Sequence, residues 1–299
     1  MADLPSKPEP TNTISLPDLA WETARRLGAD EALPLAGNIA FRMMFSIFPF
    51  LIFLTALAGF IGSEAWVEHT VQLLLSVAPD KVVSPIAREI RSILTVPRVD
   101  FLSIGALLTI WSAMAGVDSV RVCLNRAYDV IETRKSWQLY LLSVCGVIGS
   151  AILFLALSLL VVVYPVIVRI VTDVTGSFPP QFSNVEQWRY PLAVFLMLIG
   201  VHAAHRLLPA KRLTFRHVLP GVWFTVVCWM IMAYAFSIWL TRFNSFTSTY
   251  ASLSGIFIIM FFVYLAALVL IAGGELNRVL ELVRQNRLGR KGIVNRKTE

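Results

Sequence analysis

Eight polar residues stand inside or beside long apolar runs: Asn38, Arg42, Asp118, Arg121, Asn125, Arg126, Glu275 and Asn277. Charges within apolar helices usually face a bundle interior or a water-filled cavity. A belt of this kind, with a basic bias, suits an anionic substrate such as a phosphorylated lipid headgroup. The same charges can instead pair across helix ends, for instance Arg126 with Glu275, and fix packing. His202 and His205 stand at i,i+3, a spacing that can bring two metal ligands together. No third ligand accompanies them, so solvated or hydrogen-bonded imidazoles are the expectation. Of the four histidines, His69 is expected on the opposite side of the membrane from His217, and Cys123, Cys145 and Cys228 are scattered without CxxC spacing. The chain holds no DxD, HxH or GxSxG pattern and no nucleotide-binding motif. The expectation is therefore no catalytic, cofactor-binding or metal residues, no cofactor, no enzyme activity and no direct coupling to ATP.

These residues are organised around Trp111–Trp137, which leaves one hydrophobic run and enters another. Within it Val117, Val120, Leu124, Ala127, Tyr128 and Ile131 recur at steps of three and four, with most charges on the opposite face. The spacing predicts a membrane helix that continues into the cytoplasm as an amphipathic segment through Ile131. Composition agrees with a bilayer protein. Of 299 residues, 57% are hydrophobic and 15% charged, against roughly 25% charged in soluble domains; the mean hydropathy is +0.69. A net charge of +7 fits loops beside anionic lipid headgroups better than nucleic-acid binding.

The fold class expected is all-α: a polytopic bundle of six transmembrane helices with an amphipathic outer segment between the first two. Residues 1–17, rich in proline and polar, form a disordered tail. Residues 18–36 form an interfacial helix in which Trp21 lies beside Arg25 and Arg26. Residues 37–282 are the membrane domain, and 283–299 a basic cytoplasmic tail. The spans are about Ile39–Ile61, kinked at Pro49; Phe101–Val120; a charge-free run from Ser136 to Val168, about 50 Å of helix; Pro191–Leu208; Val218–Leu240; and Tyr250–Gly274. Arg42 lies in the first turn of its span, where it snorkels or pairs. Between the first two spans, residues 64–100 carry two narrow apolar stripes, one through Val67, Val71 and Leu74 and one through Val83, Ile86 and Ile90. They read as helices lying on the outer face. With both termini inside, eighteen lysines and arginines fall on inner segments and seven on outer ones. That bias sets the orientation, and the first span serves as an uncleaved anchor.

Four stretches, collinear over about residues 34–282, carry a resemblance. FSIFPFLIFLTALAGFIG at 45–62, LNRAYDVIETRKSW at 124–137, LLPAKRLTFRHVLPG at 207–221 and YASLSGIFIIMFFVYLAALVLIAGGELN at 250–277 are similar to the opening span, loop signature, basic loop and final span of the YihY/BrkB family of bacterial inner-membrane proteins. Arg42 departs from the pattern, which has small or aromatic residues there. The resemblance implies six helices, an inner-membrane location and cytoplasmic termini, as the charge count does independently. The family has carried ribonuclease and virulence-factor labels, neither with a catalytic pattern that maps onto this chain. Two functions follow as expectations: a transporter or lipid-handling protein of the cell envelope, with a small-molecule or lipid substrate, or a scaffold or assembly factor without a conduit. The bilayer is the expected partner, and a homo-oligomer is left open.

Overall fold

The computed structural model describes residues 15–61, 99–175, 183–211, 213–242 and 251–296. All regular structure among them is helical: α1 (Leu16–Ala29), α2 (Ala32–Ile61), α3 (Val99–Ala127), α4 (Ser136–Ser158), a π-helical turn (Leu159–Val163), α5 (Tyr164–Thr175), α6 (Ser183–Leu207), α7 (Phe215–Arg242) and α8 (Ala251–Arg296). Six stretches are long and apolar enough to cross a membrane: Ala32–Phe50, Ser103–Ala127, Ser136–Arg169, Val185–Leu207, Phe215–Trp239 and Ile256–Gln285. The six-helix expectation therefore holds. The stripes expected over 64–98 and the tail over 1–14 lie outside the described residues.

Local chemistry explains the boundaries. Ser15 caps α1: its hydroxyl accepts from the Asp18 N–H at 3.3 Å and donates to the Asp18 carboxylate at 2.6 Å. The turn to α2 comes at Asp30–Glu31, earlier than the sequence suggested, and Glu31 adopts the left-handed conformation with φ 53°. The expected continuation of α3 through Ile131 is not what forms. The helix stops at Ala127 in a Schellman motif, where Val130 N–H donates to the Asn125 carbonyl at 2.8 Å and Asp129 N–H to that of Arg126 at 3.1 Å. Asp129 takes the left-handed position, φ 53°, that glycine usually fills. Ile131, assigned to the apolar stripe, is instead exposed.

The charge-free run is one helical rod, α4 to α5, as expected. It passes Pro165 through the π turn. Proline lacks the N–H that a regular helix would use at that point and its ring crowds the preceding turn; widening the helix relieves both. Little of this rod is covered by protein: 6% of its most apolar stretch is buried, and Ile148, Ile152, Phe154 and Leu155 are exposed. Such a surface calls for an apolar cover, as a bilayer provides. At 1.5 Å per residue the 46-residue α8 is about 69 Å long, far more than the hydrocarbon thickness, and it carries the basic 283–296 segment as helix.

The described residues fall into two compact units, divided at Ala40/Phe41 and at Gly116/Val117. In the 41–116 unit, Arg42 Nη1 donates to the Ala115 carbonyl at 3.4 Å, Phe41 stacks on Phe45, and Gly116 faces Met43. In the other unit α7 packs most extensively on α8 and then on α6, while α1 lies on α8 and α4 on α6. Its core joins Ala32, Ala36 and Ile39 of α2 to Cys123 and Leu124 of α3, Val201 of α6, Val218, Val222 and Val226 of α7, and Ile271 of α8. The α7–α8 crossing is closest at Gly221 and Gly273. A Cβ on Gly221 would overlap the Gly273 carbonyl, and one on Gly273 would overlap the Thr225 hydroxyl.

Candidate functional site: two polar clusters at the ends of the helices

The Schellman turn after α3 leads the chain into an extended loop, 130–135, and this loop aims Glu132 back at α3. Glu132 Oε2 accepts from Arg121 Nη1 at 2.6 Å and Asn125 Nδ2 at 3.0 Å; Arg134 grips the same carboxylate through Nε at 2.8 Å and Nη2 at 2.9 Å. Arg134 then donates onward to the Leu208 carbonyl at 2.6 Å, while Asn125 Oδ1 accepts from Ala210 N–H at 2.8 Å. Arg121 also meets Asp118 at 3.3 Å, and the Ser143 hydroxyl of α4 donates to Asp118 at 2.7 Å. One carboxylate thus ties together α3, its following loop and the end of α6. The Arg134 guanidinium above all, with help from Arg121 and Asn125, holds the Glu132 carboxyl at about 2 against the burial that opposes its charge.

A second cluster lies among α3, α6, α7 and α8, and its members are almost completely buried. Asn277 of α8 accepts from Gly221 N–H at 2.7 Å and donates both to the Val218 carbonyl at 3.1 Å and to the Tyr128 hydroxyl at 2.9 Å. Tyr128 is 2.8 Å from His205 Nδ1, with the rings perpendicular. Burial pushes the Tyr128 phenol above its ordinary range. His205 Nε2 and the Thr225 hydroxyl oxygen are buried without a hydrogen-bond partner among the described residues. Glu275 is fully buried as well, one residue from Gly274, which packs against Leu124, Ala127 and His205.

A third set of charges flanks the α1–α2 turn. Asp129 binds Arg26 at 3.2 Å and Arg278 at 3.1 Å; Glu281 binds Arg278 at 3.2 Å and Lys211 at 3.0 Å. The left-handed Asp129 thereby joins α1 to α8.

The eight belt residues separate among these settings. Asp118, Arg121 and Asn125 enter the Glu132 hub. Asn277 and Glu275 belong to the buried cluster. Asn38 contacts Ser119 at 3.4 Å, and Arg42 lies in the other unit. The proposed Arg126–Glu275 pair does not form: Arg126 binds Glu31 at 3.2 Å, with both side chains substantially exposed. The reason is helical phase. Leu124 and Ala127 face Gly274, which turns Arg126 outward toward the α1–α2 turn. Sequence reasoning missed Glu132, Arg134 and Tyr128 as site residues. Tyr128 was hidden because its spacing placed it on the apolar stripe. His202 and His205 do not act as a pair: His205 bonds to Tyr128, and His202 stacks on Phe215 with ring centroids 4.2 Å apart.

The family model described as virulence factor BrkB matches residues 23–296. YfkH of Bacillus subtilis strain 168, described as ribonuclease-like, is 29% identical over 87% of this chain and 94% of its own length. UPF0761 membrane proteins of Xanthomonas oryzae and Xanthomonas axonopodis are 22% identical over 88% of this chain, which spans 60% of their length. No solved structure matches. Matched along nearly its whole length, and built of six helices apolar enough to span a bilayer, the chain belongs to the BrkB/YihY family of membrane proteins.

Proposed function

We propose that the protein is a transporter or lipid-handling protein of the bacterial inner membrane, with both termini cytoplasmic and its polar clusters at the cytoplasmic level. One observation carries this reading. Within the spans, at the meeting of α3, α6, α7 and α8, His205, Thr225, Glu275 and Asn277 are at most 3% exposed. Polar and ionisable residues are costly inside a membrane, face the bundle interior or a water-filled cavity, and there mark substrate or ion pathways. The net charge of +7 favours an anionic substrate.

A non-transporting scaffold is the second reading, and the Glu132 hub favours it, since every charge there is engaged in joining helices. An enzyme is the least supported. Metal-dependent nuclease chemistry uses clustered carboxylates or histidines, and among the described residues no group of three could hold a metal.

Flux in liposomes tests the proposal. Purified protein is reconstituted with fluorescent phosphatidylglycerol, and transbilayer movement is followed by dithionite quenching, alongside uptake of small organic phosphates. Movement above that of empty liposomes, reduced by Asn277→Leu and retained by Arg126→Ala, is the expected result. Rates equal to empty liposomes for every anion would leave the scaffold reading standing.

A further inference from the structure

Along the outer side of α6 and α7 runs an open groove of about 880 Å³, within the roughly 300–1,000 Å³ typical of small-molecule sites. Ile199 of α6 and Leu219 and Trp223 of α7 line its apolar length; His202, Arg206 and Phe215 line one end. The two polar residues stand one helical turn apart on α6. Arg206 is exposed, and no ion pair between it and a carboxylate is seen among the described residues. Both His202 ring nitrogens are buried without a hydrogen-bond partner among the described residues, covered on one side by Phe215.

We propose that this groove holds one anionic phospholipid, its phosphate on Arg206 and an acyl chain along Ile199, Leu219 and Trp223. Three features select that occupant. Both walls belong to helices long and apolar enough to span the bilayer, which sets an acyl chain laid along them at hydrocarbon depth. Among the described lining residues Arg206 is the one arginine or lysine, beside His202 at the end of a mostly apolar trough; this calls for a single anionic head on an apolar tail, and a guanidinium matches phosphate through two parallel N–H bonds. A modest turn of the His202 ring away from Phe215 brings an N–H to the same phosphate and satisfies a nitrogen otherwise left bare. The site is independent of the transport reading: a scaffold would hold the same lipid.

The test is native mass spectrometry of the full chain in detergent, titrated with phosphatidylglycerol or phosphatidylcholine of identical acyl chains. Phosphatidylglycerol should bind first and more tightly. Arg206→Gln should weaken it about tenfold, the loss of one charge-assisted contact. Ile199→Trp, which fills the trough without touching the cation, should weaken it too. Arg25→Gln, which removes a cation on α1 paired with its neighbour Glu22, should leave it unchanged. The proposal is overturned by equal affinity for the two lipids, by unaltered binding in Arg206→Gln or Ile199→Trp, or by an equal loss in Arg25→Gln. Competition by glycerol 3-phosphate as strong as by the lipid would also overturn it, since the tail would then contribute nothing.

Discussion

Around Glu132 every strong contact carries formal charge, and the side chains keep some access to solvent: 11% for Arg121, 22% for Arg134 and 23% for Glu132. Along Asn277, Tyr128 and His205 the hydrogen bonds run between neutral groups, and exposure falls to 3% or less. The two clusters share α3 and the end of α6 yet follow opposite rules. In the partly solvated cluster charge meets charge, whereas the hydrogen-bonded chain of the buried cluster is neutral, with the fully buried Glu275 as the ionisable residue beside it. The charged cluster spends all its partners on joining segments. The neutral one leaves His205 Nε2 and the Thr225 hydroxyl oxygen over, and leftover polar capacity inside a span is what a passing ligand or proton could use.

Removing the carboxylate at the hub should have the largest effect. Glu132→Ala strands Arg121 and Arg134 together, and the loss should be about 3 kcal/mol, the low end for breaking a buried pair because the site is partly solvated. Thermal unfolding in detergent measures it, and a change within about 0.5 kcal/mol would mean that the hub fastens nothing. Next comes Asn277→Leu, which removes the side-chain partner of the Gly221 N–H and the Val218 carbonyl and one of the two hydrogen bonds of the Tyr128 hydroxyl. A cost of about 2–3 kcal/mol is expected. If Asn277→Leu proved as stable as wild type, the buried chain would be incidental to the fold.

Acid separates the clusters further. The folded Glu132 carboxyl lies at about 2, below its ordinary value of 4.5. A carboxylate whose pKa is depressed by folding adds stability that is complete above its unfolded value and disappears as pH falls through the folded one. The stability difference between wild type and Glu132→Gln should therefore be constant above about pH 5 and shrink between about 4.5 and 2. A difference that is flat across this window would show that Glu132 is not held ionised. The smallest effect belongs to Arg126→Ala, expected to cost less than about 1 kcal/mol because the Arg126–Glu31 pair is exposed. A larger loss would place Arg126 inside the hub after all.

The sequence displayed the spans and most of the polar residues, because apolar length and isolated charge are both local signals. Asn277, Asp118, Arg121 and Asn125 were visible for that reason. What a helix period conceals is where the period ends. The stripe through Tyr128 and Ile131 keeps its spacing past Ala127, but the Schellman turn at Asp129 breaks it with an aspartate in place of the usual glycine. That one turn sends Glu132 back toward Arg121, points Tyr128 at His205 and exposes Ile131. The Arg126–Glu275 pairing failed for a related reason. Sequence distance to a span end says nothing of helical phase, and Arg126 is turned about 100° from Ala127, which faces α8. Gly221 and Gly273 gave no local hint of their close crossing; only the approach of α7 to α8 shows what a Cβ would meet.

The central claim is that the neutral cluster borders a path for substrate. Accessibility at Thr225 tests it most directly, since this side chain is fully buried and has no hydrogen-bond partner among the described residues. Cys123, Cys145 and Cys228 are first replaced by serine or alanine, then Thr225→Cys is introduced and challenged with an impermeant thiol reagent in right-side-out and inverted vesicles. A path used in alternating access predicts labelling from each side in turn, slowed by Asn277→Leu. Complete protection from both sides, in a protein that labels readily once unfolded, would contradict the claim and make the cluster a fastening like the Glu132 hub.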